Sequence, residues 1–248
     1  MSKEMVPEER EEARRDLASC PIVELRQYTL HEGMRDRLIG LFEREFVETQ
    51  EAFGMRVIGT FRDLDRPERF VWLRGFADMD SRLAGLSGFY SGPAWLSHRD
   101  EANATMIDSD NVLLLRAGTS SSGFELPGSR PCLGEDHKAG LILAVIEYLE
   151  TPSEAVLALF QTQVKSKLER HGISPIAWFV TETSPNNFPA LPVRSGEQVL
   201  VWFARFADEA DERDHRLSVD EASKPLLPLR ARGPEMLRLA PTSRSRLR

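Results

Sequence analysis

The chain has 248 residues, 41% of them hydrophobic and 29% charged, with a formal net charge of -7. That is the make-up of a globular protein with enough apolar content for a sizeable core, and its acidic balance argues against general nucleic-acid binding. Cys20 and Cys132 form neither a CxxC pair nor a secretory disulfide framework, and no run approaches the roughly 18 apolar residues of a membrane span, so a cytoplasmic protein with neither nucleic acid nor membrane as partner is expected.

Residues 1–20 are charged, lack the apolar stretch of a signal peptide and read as an arm. "IVELRQYTL", from Ile22, alternates and predicts a strand. Leu38, Leu41, Phe42 and Phe46 then lie at helical spacing, with Gly54 as the stop. "MRVIGTFRD" and "FVWLRGFAD" flank the turn-rich "LDRPER" and predict a hairpin. "MDSRLAGLSGFYSG" and "PAWLSHRDEANATMI" predict helix, break, helix, with Pro93 at a helix start, and "NVLLLRA" predicts a fourth strand. Residues 118–138 are rich in Gly, Ser and Pro and predict a linker or a long surface connection.

The second half repeats the order. "LILAVIEYLE" predicts a strand, and "TPSEAVLALFQTQVKSKLERHG" a helix with Thr151 as cap, Pro152 in its first turn and Gly172 as its stop. "ISPIAWFVTE" and "QVLVWFARFAD" predict strands, 208–222 a charged helix and "EMLRLAP" a closing strand, while the basic end at 241–248, "TSRSRLR", predicts a disordered tail. "VWLRGFADMD" from Val71 matches "VWFARFADEA" from Val201 at five of ten positions, which points to internal duplication. The predicted fold is therefore α+β, with tandem ferredoxin-like βαββαβ units at 21–117 and 139–240. Such a sheet carries helices on one face, and a second sheet is the usual cover for the other, often closing into a barrel. That second sheet can come from the same chain or from another copy, so a homo-oligomer is expected.

The segments "VELRQYTLHEG", "VIGTF", "FVWLRGFAD", "GPAWLSHRDEAN" and "NVLLLR" resemble the NIPSNAP family of the dimeric α+β barrel superfamily. The resemblance covers nearly all of 21–117 and is weaker through "FPALPVRSGEQVLVWFARF"; where the family has Asp-Pro before its Trp, this chain has Gly92-Pro93. It implies the barrel fold. It also implies a range of functions, since related barrels include cofactor-free monooxygenases, haem-degrading enzymes and muconolactone isomerases, and some family members act as interaction proteins.

Glu24, Arg26 and Tyr28 share one face of the first strand by its two-residue period. Val23 and Leu25 suit a helix-covered face, which sends the polar trio into the barrel interior. On the neighbouring strand Trp72, Arg74 and Phe76 share a face. Buried charge needs partners, and two readings are open: an ion-pair network that fixes the barrel register, with Tyr28 as its hydrogen-bond partner, or a pocket. In the pocket, arginines hold an anionic or enolate oxygen and Glu24 or Tyr28 moves a proton. Aligning Tyr148 with Tyr28 puts Ala144, Ile146 and Ala204 in place of Glu24, Arg26 and Arg74, so one specialised site and one supporting copy are expected. Trp95 and His98 share a helix face, and the histidine reads more readily as a surface group than as a base. "TSPNNFPALPVRSGE" lengthens a hairpin, either as a surface excursion stiffened by proline or as a lid or dimer arm that places Phe188 and Arg194 over the neighbouring barrel mouth.

No metal-ligand spacing, phosphate loop or nucleophile elbow is present, and neither metal nor cofactor is expected. The leading expectation is a barrel protein binding an anionic or aromatic small molecule between its sheets, such as a cofactor-independent monooxygenase or isomerase. Glu24, Arg26 and Tyr28 would carry the chemistry, and Trp72, Arg74, Phe76, Trp95, His98 and Arg194 would hold the ligand. The alternative is a non-enzymatic interaction or scaffold protein whose barrel is filled by its own side chains.

Overall fold

The computed structural model describes residues 20–126, 129–134, 140–150 and 154–248; the expected arm at 1–19 and the Thr151–Pro152 helix cap lie outside them. The first unit runs β1 (Ile22–Leu30), α1 (Arg35–Leu41 and Val47–Glu51, joined by a π-helical turn at Phe42–Phe46), β2 (Arg56–Asp63) and β3 (Arg69–Phe76). It ends with α2 (Met79–Ser91), α3 (Pro93–Asn103), β4 (Met106–Asp108) and β5 (Val112–Ala117). The second runs β6 (Leu141–Tyr148), α4 (Glu154–Leu159 and Ser166–Arg170 around a π-helical Phe160–Lys165), β7 (Pro175–Thr181), β8 (Val199–Phe206), α5 (Glu209–Ser223) and β9 (Glu235–Pro241).

Local chemistry sets the ends of these elements. Gly54 and Gly172 follow α1 and α4 at φ +79 and +78, a left-handed stop that glycine adopts without a Cβ penalty. Asp78 caps α2 by accepting from Ser81 N, and Asp208, at the matching place in the second unit, caps α5 by accepting from Ala210 N and Asp211 N. Pro93 opens α3. The helix expected to run on to Ile107 stops at Asn103, and Met106–Asp108 instead pairs with the end of β1.

Eight strands close an antiparallel barrel in the order β1-β3-β2-β9-β6-β8-β7-β5, and β5 returns to β1. The seams between units are β2–β9, with Arg62 opposite Ala240, and β5–β7, with Arg116 opposite Val180. Each unit's sheet is thus covered by the other unit of the same chain.

The barrel interior is apolar. Val23 and Leu25 face it, together with Phe61, Val71, Ile142, Tyr148, Phe179 and Phe203. The outer face of the first unit packs under its helices, where Tyr28, Trp72 and Phe76 join Phe42, Phe46, Leu86 and Phe89. The two faces of β1 are therefore the reverse of those expected: Glu24, Arg26 and Tyr28 lie beneath the helices and not inside the barrel. Both faces of β1 are buried, with only Thr29 exposed, so alternation alone could not assign them. The lumen of an eight-strand barrel is narrow and filled by side chains, whereas the helix layer can supply polar partners from outside the sheet.

Two segments expected at the surface seal the lumen. Leu247, in the tail expected to be disordered, is 1% exposed and packs in the barrel core. Leu247 N donates to Ile58 O at 3.0 Å. Glu43 on α1 holds the tail by accepting from Thr242 Oγ1 and Ser243 Oγ, both at 2.6 Å, and from Arg244 N at 2.9 Å. In the expected linker, Phe124 is buried with its ring 4.9 Å from Phe203 and 5.2 Å from Phe179. Among the described residues no helix is long and apolar enough to cross a membrane.

Candidate functional site

The β1–β3 register puts Glu24 opposite Arg74 and Arg26 opposite Trp72. Side chains directly opposite on one face are close neighbours, so strand pairing alone brings the first carboxylate and guanidinium together. Arg74 Nη2 lies 2.6 Å and Arg26 Nη1 2.9 Å from Glu24 Oε2. A third guanidinium descends from α2: Arg82 Nε lies 2.8 Å from Glu24 Oε1. All four side chains are at most 1% exposed.

One carboxylate thus meets three guanidiniums, and the remaining acceptors are neutral. Arg26 Nε donates to Tyr28 Oη at 3.0 Å, Arg74 Nη1 to Gln50 Oε1 at 2.9 Å, and Arg82 Nη1 to Asn186 Oδ1 at 3.0 Å and Asn187 Oδ1 at 2.7 Å. Burial works against a charged Glu24, yet Arg74, Arg26 and Arg82 together overcome it and hold the carboxyl well below the usual carboxylate range. Burial pushes the Tyr28 phenol up against the opposing pull of Arg26. Tyr28 is therefore a neutral phenol that accepts from Arg26 and has its own hydrogen to donate, whereas Glu24 is a fully engaged anion unsuited to taking a proton.

Above this floor, between α1, α2–α3 and the sheet, lies an aromatic slot of about 30 Å³. That is room for one or two waters. Tyr28, Phe42, Phe46, Trp72, Tyr90 and Trp95 line it, with Gln50 at its edge. The π-helical turn carries two of these walls, Phe42 and Phe46, whose rings are 6.0 Å apart; π turns inside helices recur at functional sites. Trp72 Nε1 is buried without a hydrogen-bond partner among the described residues, as is that of its counterpart Trp202.

The other expected ligand residues divide. Trp72 and Trp95 line the slot; Arg74 lies behind that lining in the buried charged cluster, its guanidinium 4.9 Å from the Trp72 ring, and Phe76 is buried 5.6 Å from the same guanidinium. His98 lies outside the slot, with Nε2 3.5 Å from Glu45 Oε2 and its side chain 31% exposed. Arg194 lies at a barrel mouth, in an open basin of about 830 Å³, and donates to Tyr148 Oη at 3.1 Å and Glu197 Oε1 at 2.6 Å. Among the described residues no group of three or more His, Cys, Asp or Glu side chains is placed to hold a metal ion.

The second unit's corresponding floor is Leu143 and Val145, because Leu143 pairs with Ala204 and Val145 with Trp202. The alignment through Tyr148 is off by one residue. Tyr148 faces the lumen, and the true counterpart of Tyr28 is Glu147, a buried carboxylate in a one-to-one bidentate pair with Arg230 at 2.6 and 2.8 Å. Among the described residues the first unit combines unequal charges with an aromatic slot, whereas the buried carboxylate of the second is balanced one to one by Arg230. Arg82 and Gln50 were missed at the sequence level, although a signal exists: Arg82 continues the buried helical stripe Gly85, Leu86 and Phe89, and Gln50 follows Phe42 and Phe46 at four-residue steps.

A closed antiparallel barrel with helices over the outer face of each half defines an α+β barrel protein of the dimeric type, here completed within one chain. The NIPSNAP family model matches residues 23–121, which span the first unit. Similar solved structures include a candidate monooxygenase from Lactobacillus acidophilus NCFM, 12% identical at TM-score 0.55, covering 90% of this chain and 94% of that one. A candidate monooxygenase from Fusobacterium nucleatum is 10% identical at TM-score 0.54, covering 90% and 93%. An anthrone oxidase-like protein is 8% identical at TM-score 0.53, covering 91% and 93%. At these identities the likeness is one of fold. No curated protein matches the sequence.

Proposed function

We propose that the first unit binds a small planar molecule bearing an anionic or enolic oxygen in the slot between its helices and its sheet. The site lies outside the barrel lumen, and not between the sheets. The observation that carries the reading is the imbalance beneath the slot, three buried guanidiniums on one carboxylate. A buried excess of positive charge is costly unless something negative completes it, and the Tyr28 hydroxyl stands where that oxygen would be met. The step these groups suit is proton transfer to or from an enol or phenol, which is common to isomerisation and to cofactor-independent oxygenation. Tyr28 is the proton-handling residue. Arg26 orients it and supports a developing oxyanion, and Glu24 is a positioning residue. The fold shared with candidate monooxygenases agrees with this reaction class.

The scaffold reading has its own support in the filled lumen and in a slot of only about 30 Å³. Titration with 2-naphthoate, beside the neutral 2-methylnaphthalene, separates the two. Tyr28→Phe is expected to weaken naphthoate roughly tenfold or more, the scale of a hydrogen bond to a charged group, and to leave methylnaphthalene unchanged. If naphthoate fails to bind the native protein, or both probes respond alike, the scaffold reading stands. The repeated element order and the matching Asp78 and Asp208 caps support descent of both units from one ancestor. The homo-oligomer expected from the sequence has no open barrel edge to complete, and the native mass tests it.

A further inference from the structure

The hairpin between β7 and β8 belongs to the second unit by chain but packs on the first. Phe188, Leu191 and Val193 join the core under the first unit's helices. Phe188 stacks on Tyr90, a slot wall, with ring centroids 5.9 Å apart and planes at 28°. Asn187 clamps the start of α2 from both ends of its amide: its Oδ1 accepts from Arg82 Nη1 at 2.7 Å and its Nδ2 donates to Met79 O at 2.6 Å. The hairpin is also braced internally, with Asn186 Nδ2 donating to Leu191 O at 2.9 Å and Phe188 N to Asn186 Oδ1 at 3.1 Å. It is therefore a preformed unit.

An engineered apolar cavity that binds benzene has a volume of about 150 Å³, and the slot holds about 30 Å³. A wall must move before a planar ligand enters. The β-sheet wall is fixed in the barrel, and α1 is tied to the tail through Glu43. The hairpin rests on the first unit through the Phe188–Tyr90 stack, the packing of Leu191 and Val193 and the hydrogen bonds of two asparagines.

We infer that residues 184–193 of the second unit are the specificity-determining lid of the first unit's slot, with Phe188 as its contact on the slot wall and Asn187 as its latch on Arg82. This rests on the slot reading above. Arg82 is then a positioning residue shared by lid and floor: its guanidinium lies on Glu24 on one side and on Asn186 and Asn187 on the other. The second unit has lost the charged floor and supplies the cover instead.

The test compares native protein with Asn187→Ala and Phe188→Ala, both outside the charged floor. Amide hydrogen exchange without ligand is followed over 79–106 and 184–193, and stopped-flow fluorescence gives the association rate of 2-naphthoate. Losing the latch is expected to raise exchange in the hairpin roughly tenfold or more, the scale of a hydrogen bond to a charged group, and to raise the association rate by a similar factor, with the urea midpoint little changed. Unchanged hairpin exchange in both variants overturns the latch. Faster exchange with an unchanged association rate overturns the lid while leaving the slot reading intact. Absence of naphthoate binding in all three proteins overturns the slot reading itself, and the lid proposal with it.

Discussion

Glu24→Ala is expected to destabilise the fold by about 3–5 kcal/mol, the scale for removing one partner from a buried ion pair. The loss follows from what remains: Arg26, Arg74 and Arg82, each at most 1% exposed, keep only neutral acceptors. Urea unfolding measures it directly. The pH dependence gives a second check on its sign. The folded-state carboxyl of Glu24 lies well below the usual range, whereas an unfolded Glu titrates near about 4.3. A depressed folded value means the contribution is present in full above the unfolded pKa and is lost as pH falls towards the folded one. The gap between native protein and Glu24→Gln should therefore hold steady from neutral pH to about pH 5 and close progressively below about pH 4. A gap that closes instead around neutral pH would show that some other group carries the effect.

The eight barrel strands were legible because their alternation and turn residues agree, and the two Gly stops because helices end there in a left-handed turn. The orientation of β1 was not. Val23 and Leu25 are as buried as Glu24 and Arg26, and a strand buried on both faces carries no mark of which one meets the lumen. The comparison of the units failed for a related reason. Matching the tyrosines shifts the register by one residue, and a one-residue shift moves every side chain to the opposite face. The strand pairings restore the register through Arg74 and Ala204, which the matched "VW" strands had aligned correctly. The tail was misjudged on its arginines. Its order comes from Leu247 filling the lumen and from the Glu43 carboxylate gathering neutral donors, contacts about 200 residues apart that local composition cannot register. The hairpin lay between the two cases. Its prolines predicted an ordered segment, either a surface excursion or an arm, and the fold shows that it lands on Tyr90 and Arg82 while Arg194 goes to the barrel mouth.

Leu247→Ala is expected to cost about 2–5 kcal/mol, the range for emptying a fully buried Leu site, and it decides where a ligand can bind. Leu247 packs in the lumen and the aromatic slot lies under the helices, on the opposite face of the same sheet. Creating space in the lumen should therefore lower the urea midpoint and leave the 2-naphthoate affinity within about twofold of native, since distant sites that share no partners act independently. Tyr28→Phe should do the reverse, with a large effect on naphthoate and a smaller one on stability. The pair of variants distinguishes a filled structural barrel carrying a site on its outer face from a barrel that is itself the container. If Leu247→Ala raised naphthoate affinity and Tyr28→Phe left it unchanged, the lumen would be the ligand site, and the charged cluster under the helices would be an ion-pair network that holds α2 to the sheet.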